Sequence, residues 1–267
     1  MANPILVIGG TGTVGRVVVE KVLDAGRQVH VLSRGRRPTG PGRHLTGDVR
    51  TGEGLAEAVA GVDTIVVCVD PVPHVVEAAL AAAKPHLVYI SIVGIDRVPF
   101  GYYRRKLADE QLIASAGLPW TVLRATQFHD LIAVMLRMLA KPPLMVLPKE
   151  WRVQPIDARE VGAALADLAL GEPSGRVPDM GGPQVRALQE LARTYLAAVD
   201  KRRPIVSVTL PGRVYRAYRA GEHLAPQRPV GTITFEQYLT EQLVAGTLPY
   251  ADVIRAYTRL PGRKRHH

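Results

Sequence analysis

The chain has a single cysteine, Cys68, among its 267 residues. One thiol cannot form an internal disulfide, so no disulfide framework holds the fold and a reducing compartment is expected. Cys68 lies in the apolar run TIVVCVD and reads as a small buried group, not a nucleophile. Aromatic residues make up only 5% of the chain, with 3 Phe and 2 Trp. No extended stripe interleaves them with basic residues in the manner of a nucleic-acid-binding surface. Long apolar runs are absent as well. The nearest candidate, LIAVMLRMLA from Leu131, is interrupted by Arg137 and reads as an amphipathic helix. The N-terminus has no basic n-region, and ILVI is too short for the apolar part of a signal peptide. These features predict a cytoplasmic protein with no membrane segment.

Charge of negative sign is in short supply: 34 Lys and Arg against 24 Asp and Glu give a net charge of +10. The basic residues are scattered, with short clusters only at 34–37, at 202–203 and in the terminal RKRHH. This reads as a solvated basic surface, so no nucleic-acid partner is expected, and the cluster beginning at Arg34 is the exception taken up below. Hydrophobic residues at 47% and charged residues at 22% are ordinary for a globular chain, and the length is near the upper end for one domain.

Short apolar runs alternate with helical stretches. Strands are predicted at ILVIG, QVHVLS, RHLTG, DTIVVCV, HLVYISI and WTVLRA, with helices at 12–25, 54–60, 73–83 and 102–116. The runs are continuously apolar, as strands buried on both faces must be. The fold class that follows is α/β, a Rossmann-type doubly wound parallel sheet. After Ala125 the rhythm changes. A helix is expected over 129–140, followed by a Pro-rich break at KPPLMVLP. A second helix begins at Asp157, with Glu160 placed for a capping box, and a third covers 188–199. GEPSGRVPDMGGP reads as loop and PIVSVTL as a strand. TFEQYL repeats the capping logic with Thr234 and Gln237.

Gly9-Gly-Thr-Gly-Thr-Val-Gly15-Arg stands between the first strand and the first helix. Gly10, Gly12 and Gly15 fit one glycine register, and Gly9, Gly12 and Gly15 fit another. Either register supplies a tight turn, a backbone bare enough to meet a diphosphate, and a helix seated close to the sheet. The exposed N–H groups and the helix dipole favour the anion. The second strand then ends VLSRGRRP. Ser33 and Arg34 stand where a carboxylate would bind the ribose 2′-hydroxyl of NAD(H), with Arg36 and Arg37 behind. Arginine there neutralises a 2′-phosphate, so NADP(H) is the expected cofactor. In TGDV, Asp48 and Val49 are placed to meet the adenine, although Asp48 equally suits a turn cap.

After the fifth strand comes YYRRK. Tyr102 and Lys106 are four apart and share a helix face. An ammonium beside a phenol favours proton transfer from that phenol to a carbonyl oxygen as hydride arrives. Ser91, at the end of HLVYIS, is placed to bond the same oxygen. Tyr103, three residues from Lys106, competes for the tyrosine role.

VIGGTGTVGR, LSRGRRP, GDV, ISIVGID, YYRRKLADEQLIASAGLPWTVLRATQFHD and GGP together resemble the atypical short-chain dehydrogenase/reductase superfamily, in its NmrA-like, NAD(P)H-binding group. The resemblance implies one Rossmann-type domain, with a nucleotide-binding core at 1–126 and 151–178 and a small substrate-binding region at 127–150 and 179–261. It implies cofactor contacts at Gly9, Gly12, Thr13, Val14, Gly15, Arg34, Asp48, Val69 and Lys106, and it places Phe128 and His129 near nicotinamide and substrate. The His129 position also suits an ordinary first-turn helix residue. Ile92 stands where many relatives carry a second serine. The expected activity is NADPH-dependent ketone reduction, by a monomer or homodimer, on a small apolar or aromatic molecule of polyketide type. Tyr102, Lys106 and Ser91 would carry the chemistry. The alternative is a non-catalytic NADP(H)-binding redox sensor.

Overall fold

The computed structural model describes residues 3–35 and 40–245. Arg36, Arg37 and the terminal RKRHH lie outside the described residues. In chain order the elements are β1 (Ile5–Ile8), α1 (Thr13–Asp24), β2 (Val29–Ser33), β3 (Arg43–Thr46), α2 (Leu55–Val59), β4 (Thr64–Val67), α3 (Pro73–Ala81), β5 (His86–Ile92), α4 (Gly101–Ser115) and β6 (Trp120–Ala125). There follow α5 (His129–Leu139), β7 (Met145–Pro148), β8 (Arg152–Val153), α6 (Ala158–Leu170), β9 (Gly175–Arg176), β10 (Arg186–Ala187), α7 (Leu188–Ala198), β11 (Ile205–Val208), α8 (Arg213–Ala220) and α9 (Phe235–Val244).

Seven strands form one parallel sheet in the order β3-β2-β1-β4-β5-β6-β9. Its two faces explain the continuous apolar runs. Ile5 and Val7 of β1 pack with Val18 and Val22 of α1 and with Val161 and Leu165 of α6. Leu6 and Ile8 point the other way, toward Leu55 of α2, Val75 and Val76 of α3 and Ile113 of α4. Burying each such side chain contributes roughly 1.5–3 kcal/mol. A third cluster joins α5, α7 and α9 with Met145 and Leu147 of β7, and a smaller one joins Tyr103 to Ile95 and Val98. No described helix is long and apolar enough to cross a membrane.

The six expected strands and the helices among them are present. The later half departs from expectation in several places. The Pro-rich break contains β7, which pairs in parallel with β11. The expected loop at 171–183 contains β9, which adds a seventh strand beside β6. The Tyr-rich and Arg-rich stretch at 213–220, for which no element is expected, forms α8. Asp157 does cap α6, accepting from the Arg159 N–H at 2.8 Å. Glu160 does not close a capping box there. Its Oε1 instead accepts from the backbone N–H and hydroxyl of Thr232, at 2.6 and 2.7 Å. The box at Thr234 and Gln237 forms in both directions.

Candidate coenzyme and acceptor site

The strand order reverses between β1 and β4, and the crevice beyond their C-terminal ends is where open α/β sheets bind ligands. Gly9 leaves β1 with φ +83°, a conformation that favours glycine. A Cβ there would lie 2.6 Å from Cγ1 of Val69, which leaves β4 on the other side of the crevice. Gly12 caps α1 with no side chain of its own, and α1 has no acidic residue in its first turn. A Cβ on Gly15 would press into the carbonyl oxygen of Gly9 and come within 2.8 Å of the Gly10 Cα. The turn is therefore a cradle that side chains would fill, opening onto an uncapped helix N-terminus. Those features fit a dinucleotide diphosphate. Thr13 is half-buried in the first turn of α1, while Val14 is buried there among the core side chains.

Ser33 ends β2, and its carbonyl accepts from Gly47 N–H at 3.0 Å. Arg34 is exposed just beyond, with no ion pair among the described residues. Asp48 spends one carboxylate oxygen on its own turn, accepting from Arg50 N–H at 2.9 Å. Val49 puts its side chain into the core beside Leu32 and Leu55. Only the rest of the Asp48 carboxylate and the Val49 main chain remain for an adenine.

Lys106 and Tyr102 do share a face of α4, but a carboxylate stands between them. Asp70, just after β4, accepts at Oδ1 from Lys106 Nζ at 2.8 Å and from the Tyr89 hydroxyl at 2.5 Å. At Oδ2 it accepts from the Tyr102 hydroxyl at 3.0 Å. Lys106 also donates to the Tyr89 oxygen at 2.9 Å. Burial raises the Asp70 pKa, but the charge of Lys106 and the three hydrogen bonds outweigh it, so the carboxyl is held below its ordinary value. Burial, reinforced by Asp70, pushes the Tyr89 phenol well up, which leaves it a donor. Asp109, one turn beyond Lys106, is pushed up to about 6 by burial and by the charge of Asp70. Lys106 and Asp109 are buried, whereas the Asp70 side chain keeps 25% of its surface open.

Tyr103 goes elsewhere. It is buried, and its hydroxyl accepts from Tyr218 of α8 at 3.1 Å. Ser91 lies two residues beyond Tyr89 on β5 and so faces the same side of the sheet. Its hydroxyl is buried and has no hydrogen-bond partner among the described residues. Ile92, the departure from the serine of many relatives, packs with Tyr102 and Leu107 against Tyr103. Val214, Ala217 and Tyr218 of α8 cover the same cluster. Phe128 caps α5 and packs half-buried on the sheet core. His129, expected beside the substrate, has no exposed surface to offer one. Its Nε2 donates to the Ile233 carbonyl at 2.9 Å, and its ring lies 5.2 Å from that of Tyr238. Burial holds its pKa below the ordinary value. Asp70, Tyr89 and Asp109 are the polar groups that the sequence did not single out. The only sequence signal for Asp70 was its place one residue after Val69.

The chain matches a family model described as NAD(P)H-binding over residues 9–143. It is 30% identical over 222 residues to NAD(P)H azoreductase of Xenophilus azovorans, covering 77% of each chain. It is 31% identical over 201 residues to (4-alkanoyl-5-oxo-2,5-dihydrofuran-3-yl)methyl phosphate reductase of Streptomyces griseus, covering 70% of each. Among solved structures, an NADPH-dependent quinone oxidoreductase of Escherichia coli complexed with NADPH aligns with a TM-score of 0.75 at 16% identity. The alignment covers 90% of this chain and 99% of that one.

Proposed function

The chain belongs to the NAD(P)H-binding family of atypical short-chain dehydrogenase/reductases and is an NAD(P)H-dependent oxidoreductase; from that premise we propose that it is an NADPH-dependent reductase of a small, largely apolar or aromatic acceptor. The observation that carries this reading is the bare glycine turn facing Val69, with Asp70 and Lys106 directly behind it. Gly9, Gly12 and Gly15 leave room for the diphosphate, and α1 offers its free amides. Arg34 supplies positive charge for a 2′-phosphate. Lys106, fixed by Asp70, is the donor for ribose hydroxyls. Bound there, the reduced nicotinamide supplies a hydride, whose electron pair forms the new bond on the acceptor as the coenzyme is oxidised.

The acceptor wall comes from the region after Ala125. Val214, Ala217 and Tyr218 of α8 pack beside Tyr102, and Trp151 lies 4.3 Å from the Tyr218 ring. These apolar surfaces suit a flat conjugated ring system, including polyketide-type aromatics.

Ketone reduction is the second reading, favoured by the placement of Tyr102 and Lys106 on one helix face. In that reading Tyr102 gives its proton to the carbonyl oxygen and Ser91 polarises it. The test is oxidation of NADPH against a panel of ketones and conjugated acceptors, with Tyr102→Phe in parallel. Reduction of any of them supports the reductase reading, and loss of ketone turnover in Tyr102→Phe supports the second. Tight NADPH binding with no oxidation against any acceptor overturns both and leaves a dinucleotide-binding regulator.

A further inference from the structure

Three hydrogen-bond donors converge on the Asp70 carboxylate from β5 and α4, at 2.5, 2.8 and 3.0 Å. Resting on the reductase reading above, we propose that Asp70 is the positioning residue of this site: it fixes Lys106 for the coenzyme and holds the Tyr102 proton away from the acceptor. The site then favours acceptors that need no proton from the protein when hydride arrives.

The geometry gives each carboxylate oxygen a separate task. Oδ1 takes Lys106 and Tyr89, which fills its two acceptor positions and pins the ammonium in a buried place. Oδ2 takes the Tyr102 hydroxyl, and the Asp70 side chain as a whole keeps 25% of its surface open. Tyr102 has one proton, and it is committed to Oδ2. Were that proton to pass to an acceptor oxygen, a phenolate would be left about 3 Å from an ionised carboxylate. Lys106 cannot offset this fully, because its ammonium is already shared between Asp70 and Tyr89. The tyrosine and lysine are therefore not the direct pair that lowers the cost of proton loss.

The balance of the reaction then selects the acceptor. A hydride that adds to a simple ketone leaves an alkoxide, a strong base that needs a proton at once. A hydride that adds to a quinone, with its two electrons, leaves a delocalised hydroquinone anion that water protonates afterwards. A carboxylate that withholds the tyrosine proton penalises the first far more than the second. Asp70 acts through its neighbours and makes no bond to the acceptor in either case.

The experiment compares wild type, Asp70→Asn, Asp70→Glu and the double variant Asp70→Asn/Tyr102→Phe, each checked for folding by thermal denaturation. The probes are a naphthoquinone and an aryl ketone, together with fluorescence titration of NADPH into the coenzyme-free proteins. Asp70→Asn is expected to raise the ratio of ketone to quinone kcat/KM at least about tenfold. The double variant should lose that gain, and Asp70→Glu should keep the wild-type ratio. In the titration, Asp70→Asn is expected to weaken NADPH binding about tenfold, because Lys106 loses its anchor. An unchanged acceptor ratio in a folded Asp70→Asn overturns the proposal. So does a gain that survives the loss of the Tyr102 hydroxyl. NADPH affinity equal to wild type in Asp70→Asn overturns it even where turnover is absent. Wild type that binds NADPH but reduces neither probe counts instead against the reductase reading, and the titration still decides the role of Asp70.

Discussion

Gly15 and Gly9 meet so closely that any side chain on Gly15 would push into the carbonyl oxygen of Gly9. The strand and helix that flank the turn are both buried in the core, so the backbone has nowhere to retreat. Gly15→Ala is expected to lower stability by at least about 2 kcal/mol, as overpacking does, and to weaken NADPH binding together with it. Chemical denaturation and coenzyme titration check the two effects.

Arg34 stands exposed just beyond β2, and on the proposed reading its charge meets the group that distinguishes the two nicotinamide coenzymes. Arg34→Asp should reverse the electrostatics at that point. The ratio of NADPH to NADH affinity is expected to fall at least about tenfold, or about 1.4 kcal/mol. Parallel titrations with both coenzymes measure it. An unchanged ratio would show that the 2′-phosphate is read elsewhere.

Arg124 on β6 forks onto Glu110 of α4, with contacts of 2.9 and 2.7 Å, in a place where both side chains are about nine-tenths buried. Glu110→Gln keeps an acceptor but leaves the guanidinium, among the described residues, with Asp96 as its one charged partner, on the exposed side. A cost of about 3–5 kcal/mol is expected, as for other broken buried pairs. The loss should appear in the denaturation midpoint rather than in NADPH affinity at saturating folded protein.

His223 has no exposed surface, and its Nε2 donates to the Arg152 carbonyl at 2.8 Å. Burial pulls its pKa down to about 4. The unfolded chain therefore binds a proton between pH 6.5 and 4 that the folded chain refuses, and stability falls as the pH drops through that window. From pH 7 to 4 the loss from this one group is roughly 3 kcal/mol, at about 1.36 kcal/mol for each pH unit. His223→Gln keeps a donor for Arg152 and removes the titration. It should flatten the acid limb of a stability curve measured by denaturant.

The sheet was legible because its information is local. Four to seven apolar residues in a row, buried on both faces, announce a parallel strand without reference to anything distant. The glycine turn is local in the same sense. What the sequence hid was long-range. β7 finds its partner in β11 across some sixty residues of chain, and prolines on either side disguise it. Glu160 has the right spacing for a capping box, yet amides at Thr232 and Ile233 claim it. Asp70 carries no local signal of its own, since its donors lie 19, 32 and 36 residues away. Tyr102 and Lys106 were read as a direct pair because helical spacing says nothing about what a neighbouring loop inserts between them. His129 follows the same rule, since its burial depends on Phe235 and Tyr238 far along the chain.

Gly162 sits where α6 crosses α1, and a Cβ there would lie 2.6 Å from Cβ of Val17 and 3.1 Å from the Val14 carbonyl. At its own N-terminus α6 grips Thr232 through Glu160, and Arg159 reaches Glu241 of α9 at 2.7 Å. α6 thus joins α1 to Thr232 and to α9. A side chain at Gly162 would therefore force α6 away from α1 and strain the ties that α6 makes to Thr232 and Glu241.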